Sequence, residues 1–281
     1  MVNPKIIKKK SKELDIPFDN LLLGCILEEF VELISENHHD ELWVVNGRNL
    51  GIDSYRRGIR DTLILALGKD EEMDIYARKF SLSVVSHFMN MGIKVTTNFL
   101  SDNRIKFFLD IDDMTIPVTV LIEDEKELDT FTKEKELALT FQKDRKVIYR
   151  EYPIEEKVAR LSFQILDKLE LLNEMEMYID LYDIIANEPV EGRRVKDRLA
   201  LKCEGKSSFD MKRFERLRSY KDYTFMKKKW KKVRRSTKRV DLEWEEVHSL
   251  IITFLEPVYK ALVNDEVFFG DWMPGIARFL D

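Results

Sequence analysis

Cysteine is nearly absent from this 281-residue sequence, with Cys25 and Cys203 far apart and neither at a Cys-x-x-Cys or Cys/His ligand spacing. That excludes a disulfide framework and a structural zinc site, and fits free thiols in a reducing cytoplasm. Histidine is as scarce: His38-His39 precedes Asp40, but no other His or Cys lies nearby to complete a metal site. No Ser, Cys and His grouping suggests a nucleophilic triad. No apolar run approaches the roughly 18 residues that a membrane span needs. The Lys-rich start, Met1 to Ser11, lacks the apolar centre of a secretory signal. Internal repeats and low-complexity segments are also missing.

What is present is enough apolar material, 44% of the chain, to build a full core without staples. Charged residues make up 35% and the net charge is -5, unevenly placed along the chain. Asp19 to Glu36 has helical apolar spacing behind Pro17, and Leu42 to Val45 is a short apolar run stopped by Asn46-Gly47. Thr62 to Leu67, Ile93 to Thr97, Ile105 to Ile111 and Ile116 to Ile122 read as further strands, with a helical stretch over Met73 to Met91. From Ile154 the β-branched runs give way to helical periodicity. The expectation is an α+β protein: a mixed-sheet domain over residues 1–152, and a helical bundle over 153–281 whose tail, Phe268 to Leu280, packs back onto it.

Several segments in this order match one known pattern. Leu42 to Leu50 looks like a strand entering a Gly-Gly turn, and Arg57-Gly58-Ile59-Arg60-Asp61-Thr62-Leu63 resembles an R-x-T-x-D-x-D signature. Ile105 to Asp112 is similar to a strand carrying a third carboxylate. Glu155 to Leu161 looks like a lysine-bearing helix, Tyr178 to Asp183 like a D-L-Y-D segment, and Lys228 to Leu262 like a basic C-terminal region. Over about residues 19 to 262 the chain resembles the AbiEii/AbiGii toxin family of nucleotidyltransferases, a phage-defence, toxin–antitoxin family.

The resemblance implies a nucleotidyltransferase fold, a nucleoside triphosphate as substrate and magnesium as cofactor. It implies transfer of a nucleotide to RNA, tRNA in particular, or to a protein hydroxyl, in a cytoplasmic protein with a cognate antitoxin. Carried over residue by residue, Asp61 and Asp110 would hold metal, their carboxylates about 4 to 7 Å apart as paired ions require. Lys157 would neutralise phosphate charge and Asp180 would orient the acceptor or that lysine. Asn46, Gly47, Arg48 and Arg57 would cradle the triphosphate. Three positions depart from the pattern: Leu63 replaces the second carboxylate, Asn46 the first turn glycine and Ile59 the threonine. Leucine cannot ligate magnesium, so the alternative is an inactive member that binds a nucleotide, RNA or protein.

Each residue also has an ordinary reading. Asp61 suits a strand edge, Asp110 a turn entry, Lys157 an exposed helix flank, and Asp180 a salt bridge between helices. The last feature is a basic run, nine Lys or Arg in the thirteen positions from Lys227 to Arg239, with Trp230 inside. Lys228, Lys231, Lys232 and Arg235 would neutralise RNA phosphates and Trp230 would stack on a base. The ordinary reading is a solvated face around a core tryptophan.

Overall fold

The computed structural model describes residues 2–47, 50–68, 71–124, 133–142, 145–205, 209–237 and 241–280. The chain forms two compact units, Met1–Tyr152 and Pro153–Asp281.

The first unit is built on a mixed sheet with strand order β3-β4-β5-β2-β1-β7-β6. Its elements are α1 (Pro4–Leu14), α2 (Phe18–Asn37), β1 (Leu42–Val44), α3 (Ile52–Arg57), β2 (Thr62–Leu67), α4 (Met73–Asn90), β3 (Lys94–Ser101), β4 (Arg104–Ile111), β5 (Met114–Asp124), β6 (Lys133–Ala138) and β7 (Lys146–Glu151). β2 runs parallel to β5, and β1 parallel to β7; the other pairs are antiparallel. The period-two alternation of each strand sends Leu63, Leu65 and Leu67 to one face with Ile105, Phe107 and Leu109, where α2 and α4 cover them. Trp43, Val45, Ile64 and Ala66 occupy the other face with Tyr152.

Two buried contacts fix α3 against α2. The ring of Tyr55 sits so close to Gly24 that a Cβ there would lie 2.6 Å from it, and the Tyr55 hydroxyl donates to Glu28 at 2.9 Å. Glu28 also accepts from the Thr140 N–H at 2.9 Å and the Thr140 hydroxyl at 2.6 Å, so one carboxyl joins three segments. Residues 4–14 form a helix, although only a Lys-rich start is evident in the sequence. Asn3 caps the Lys5 and Ile6 amides, and Ile7 is buried.

The second unit comprises α5 (Ile154–Lys168), α6 (Glu176–Asn187), β8 (Val190–Glu191), α7 (Gly192–Cys203), α8 (Met211–Arg218), α9 (Thr224–Thr237), α10 (Trp244–Val263), β9 (Asp271–Met273) and β10 (Arg278–Leu280). The helices follow the periodicity of the sequence. The small sheet β10-β9-β8 corrects the expectation that β structure ends at residue 153. The tail folds back onto the helices: the Trp272 indole is fully buried, donates to the Ile185 carbonyl at 2.6 Å and meets Phe254 edge-on.

Candidate functional site

The expected phosphate turn follows β1. Val45 continues the pairing with β2, its N–H donating to the Ile64 carbonyl at 2.8 Å. Asn46 then pairs through its side chain: Nδ2 donates to the Thr62 carbonyl at 2.7 Å, and Oδ1 accepts from the Ile64 N–H at 2.8 Å. Its amide is spent on the strand. Gly47 is buried where a Cβ would come within 2.9 Å of both the Tyr149 hydroxyl and Glu151 Oε1, so a larger residue there would push those two side-chain ends aside. Glu151 is buried and pairs with Lys135 at 2.5 Å, and burial pushes the Tyr149 hydroxyl well above the usual tyrosine range. Sequence reasoning missed Tyr149, Glu151 and Lys135, because only tertiary packing brings β6 and β7 to this turn. Arg48 and the side chain of Arg57 lie outside the described residues.

Asp61 stands half-buried at the head of β2. Its main-chain carbonyl accepts from the Thr119 N–H at 2.6 Å, and its carboxylate from the Thr62 hydroxyl at 3.3 Å. Leu63, the position of the missing carboxylate, is 1% exposed within the apolar core.

Asp61 and Asp110 are not brought together. By the register of β2 with β5, Asp61 is level with Val118, which opposes Phe107 on β4. Asp110 lies two strands away and three residues further along, which places the two Cα atoms on the order of 14 Å apart. The expected metal-bridging reach is therefore corrected, because it assumed facing strands that the crossover does not deliver. Asp110 instead accepts a hydrogen bond from Thr115 at 2.8 Å, closing the β4–β5 hairpin above Asp112, whose φ is 50°.

The next cross-strand row, Thr62, Thr119 and Lys106, lies on the face away from Leu63, whereas alternation puts Asp61 with Val118 and Phe107 on the Leu63 side. Thr62, Thr119 and Lys106 supply two hydroxyls and an ammonium. Among the described residues no group of three His, Cys, Asp or Glu is placed to hold a metal ion. The donor set does not fit a paired-magnesium site.

In the second unit, Lys157 is buried on α5 and Asp180 half-buried on α6. Next to Lys157, Glu156 is held by Arg198 at 2.6 Å and Lys202 at 3.6 Å. Tyr178, Leu181 and Ile185 belong to the core. Lys157 is thus not the exposed helix flank of the ordinary reading. Cys25, the thiol inside the first unit, is buried and pushed far above its usual range by that burial, which keeps it from acting as a thiolate.

The basic run divides cleanly on α9. Lys227 pairs with Glu245 at 2.5 Å, the Lys229 ammonium caps the carbonyls of Glu170 and Leu172 at 2.8 Å each, and Arg234 pairs with Glu243. These three are engaged within the second unit. Lys228, Lys231, Lys232 and Arg235 are exposed, and among the described residues none forms an ion pair. Their spacing, i, i+3, i+4 and i+7, makes one stripe along the helix. Trp230 corrects the stacking expectation: it is 1% exposed, packs against Trp244 at 5.8 Å and donates to the Leu242 carbonyl at 3.0 Å. A ring enclosed in this way offers no face to a base. The exposed rings beside the stripe are Tyr223 and Phe225, 5.9 Å apart, and only the structure distinguishes them from the buried tryptophan.

No protein-family model and no curated protein matches this sequence. Solved structures do. MenT4, the nucleotidyltransferase toxin Rv2826c of Mycobacterium tuberculosis H37Rv, superposes with a TM-score of 0.54 at 12% identity, covering 93% of this chain and 99% of that one. JHP933 from Helicobacter pylori superposes with a TM-score of 0.52 at 11% identity, covering 89% and 96%. The chain therefore shares the fold of these two structures, and its own version of it is a mixed sheet with flanking helices.

Proposed function

We propose that this chain is a nucleotidyltransferase-like toxin relative, of the AbiEii kind, that binds a nucleoside triphosphate and RNA without metal-dependent transfer. The observation that carries this reading is the make-up of the sheet at the head of β2. Leu63 is sealed in the core, Asp110 is remote, and the neighbouring positions hold Thr62, Thr119 and Lys106. Hydroxyls and an ammonium can hold a phosphate by hydrogen bonding and charge. They cannot bring two magnesium ions to it. RNA is supported as partner by the α9 stripe, four exposed cations along about two helical turns. The toxin description of MenT4 supports a cognate antitoxin as a further partner.

A second reading keeps transfer to RNA or a protein hydroxyl, with magnesium at Asp61, Lys157 neutralising charge and Asp180 orienting the acceptor. It is favoured by the half-buried Asp61 carboxylate at the head of β2. One experiment separates the two: incubation with each labelled triphosphate, magnesium and total tRNA, beside calorimetric titration of the same triphosphates in chelator. Binding that survives chelation, with no label in RNA or protein, is expected. Magnesium-dependent labelling abolished by Asp61→Asn overturns the proposal in favour of the enzyme.

A further inference from the structure

Tyr223 and Phe225 stand at the N-terminal end of α9 with 44% and 45% of their surface exposed. Packing from behind holds each ring in place. Tyr223 leans on the buried Tyr220, ring centres 5.6 Å apart, and its N–H donates to the Tyr220 carbonyl at 3.1 Å. The Lys229 ammonium, fixed by the carbonyls of Glu170 and Leu172, lies 4.8 Å over one face of Phe225. The two rings are 5.9 Å apart and tilted by 45°, so they do not stack flat on each other. Phe225 precedes Lys228 and Lys232 by three and seven residues, which sets it on the same side of the helix as the cation stripe. Acids beside α9 are engaged away from that stripe, Asp222 and Glu245 by Lys227, and Glu243 by Arg234. Rings and unspent positive charge therefore share one surface.

We propose that Tyr223 and Phe225 are the base-stacking residues of a site for single-stranded RNA, whose phosphates run along Lys228, Lys231, Lys232 and Arg235. This rests on the RNA reading above and narrows it to unpaired strands. In a duplex the bases stack on one another and present only their edges, so a ring on the outside of a helix cannot reach a base face. In a single strand each base can leave its neighbour and lie on an aromatic ring. A ring pair at one end of a line of cations about 10 Å long matches a strand whose bases and phosphates are both open. A duplex would use the cations and leave the rings idle. An anionic membrane is the poorer match, because the apolar side of α9, with Met226 and Trp230, is buried in the core and only two rings remain to enter a bilayer.

Fluorescence anisotropy on the full chain compares a labelled RNA of about 12 nucleotides with the same strand annealed to its complement. The single strand should bind at least about tenfold more tightly. Tyr223→Ala with Phe225→Ala should weaken single-strand binding by about tenfold to a hundredfold, with duplex affinity and salt dependence unchanged. Tyr223→Leu with Phe225→Leu keeps the apolar bulk without a flat face; it should weaken binding likewise, and it carries the test if the alanine pair lowers the melting temperature. Changing the four stripe cations to Gln should weaken both RNAs and flatten the salt dependence. Equal affinity for the two RNAs, or ring variants that bind the single strand as the native chain does while the Gln variant loses it, overturn this proposal and leave the RNA reading standing. A native chain that binds neither RNA overturns both, as does one that binds phosphatidylserine vesicles in place of RNA.

Discussion

The side chain of Asn46 acts as one more residue of backbone against Thr62, donating to its carbonyl at 2.7 Å while accepting from the next amide but one, that of Ile64, at 2.8 Å. Both bonds are half-buried, and an isosteric change breaks one of them. Asn46→Asp turns the donor toward Thr62 into a second acceptor and should cost about 1 to 3 kcal/mol. Asn46→Gly restores the double-glycine turn of the AbiEii pattern, yet should destabilise by a similar amount. Urea midpoints at constant m-value check both. A stabilised Asn46→Gly would mean that the side chain merely tolerates its place.

Leu63 is the position at which restoring a carboxylate looks simplest on paper. Its burial among Leu65, Phe107 and Val120 makes Leu63→Asp a charge placed inside the core. The expected result is a loss of more than about 4 kcal/mol, or no folded protein at all, rather than a gained metal site. Denaturant unfolding decides. A stable variant that binds magnesium by calorimetry would show that this strand end can turn outward.

On α9 the cations and the tryptophan should separate experimentally. Changing Lys228, Lys231, Lys232 and Arg235 to Gln should leave the melting temperature nearly unchanged, because among the described residues none forms an ion pair. It should also flatten the dependence of RNA affinity on salt, by about 0.7 to 0.9 logarithmic units per lost phosphate contact. Trp230→Ala should instead lower stability by about 3 to 5 kcal/mol, since it empties a core site beside Trp244. Melting curves and filter binding at several salt concentrations test both variants. Unchanged RNA affinity in the Gln variant would leave the stripe a solvated face.

How much of this was legible in the sequence depended on how local the signal is. β2 appears at Thr62–Leu67, where the apolar run reads directly as a buried strand, and the long helices follow their periodicity. β6 escaped notice because Lys133 to Glu136 alternates only charges, as an edge strand does, and Leu137 is its buried apolar residue. Strands of two or three residues, such as β8 and β9, are too short to show any period. The candidate site was least legible. Which residue lies level with Asp61 is decided by the register of β5 after the α4 crossover, and that register delivers Val118 in place of an acid. Trp230 illustrates the same limit, since a basic run around a tryptophan reads alike whether the ring points in or out.

Two buried histidines give the fold an acid limit. His38 and His248 are both held below the usual histidine value of 6.5, chiefly by burial. His38 Nδ1 lies 3.1 Å from the Tyr76 hydroxyl, and His248 Nε2 lies 3.0 Å from the Leu217 carbonyl, to which it donates. As pH falls through 6.5 the unfolded chain takes up protons that the folded imidazoles refuse. Stability present above 6.5 is therefore lost on the acid side, with a slope of up to about two protons. Burial acts in the opposite sense on Glu28 and Glu32, raising both above the usual 4.5. Their contribution is complete below 4.5 and is lost as pH rises through the raised values. The two slopes oppose each other between 4.5 and 6.5. Urea unfolding from pH 5 to 8 should show the histidine slope steepen in Glu28→Gln, once one carboxyl no longer opposes it, and flatten in the double variant His38→Asn, His248→Asn. An acid slope unchanged in that double variant would assign the proton uptake to other groups.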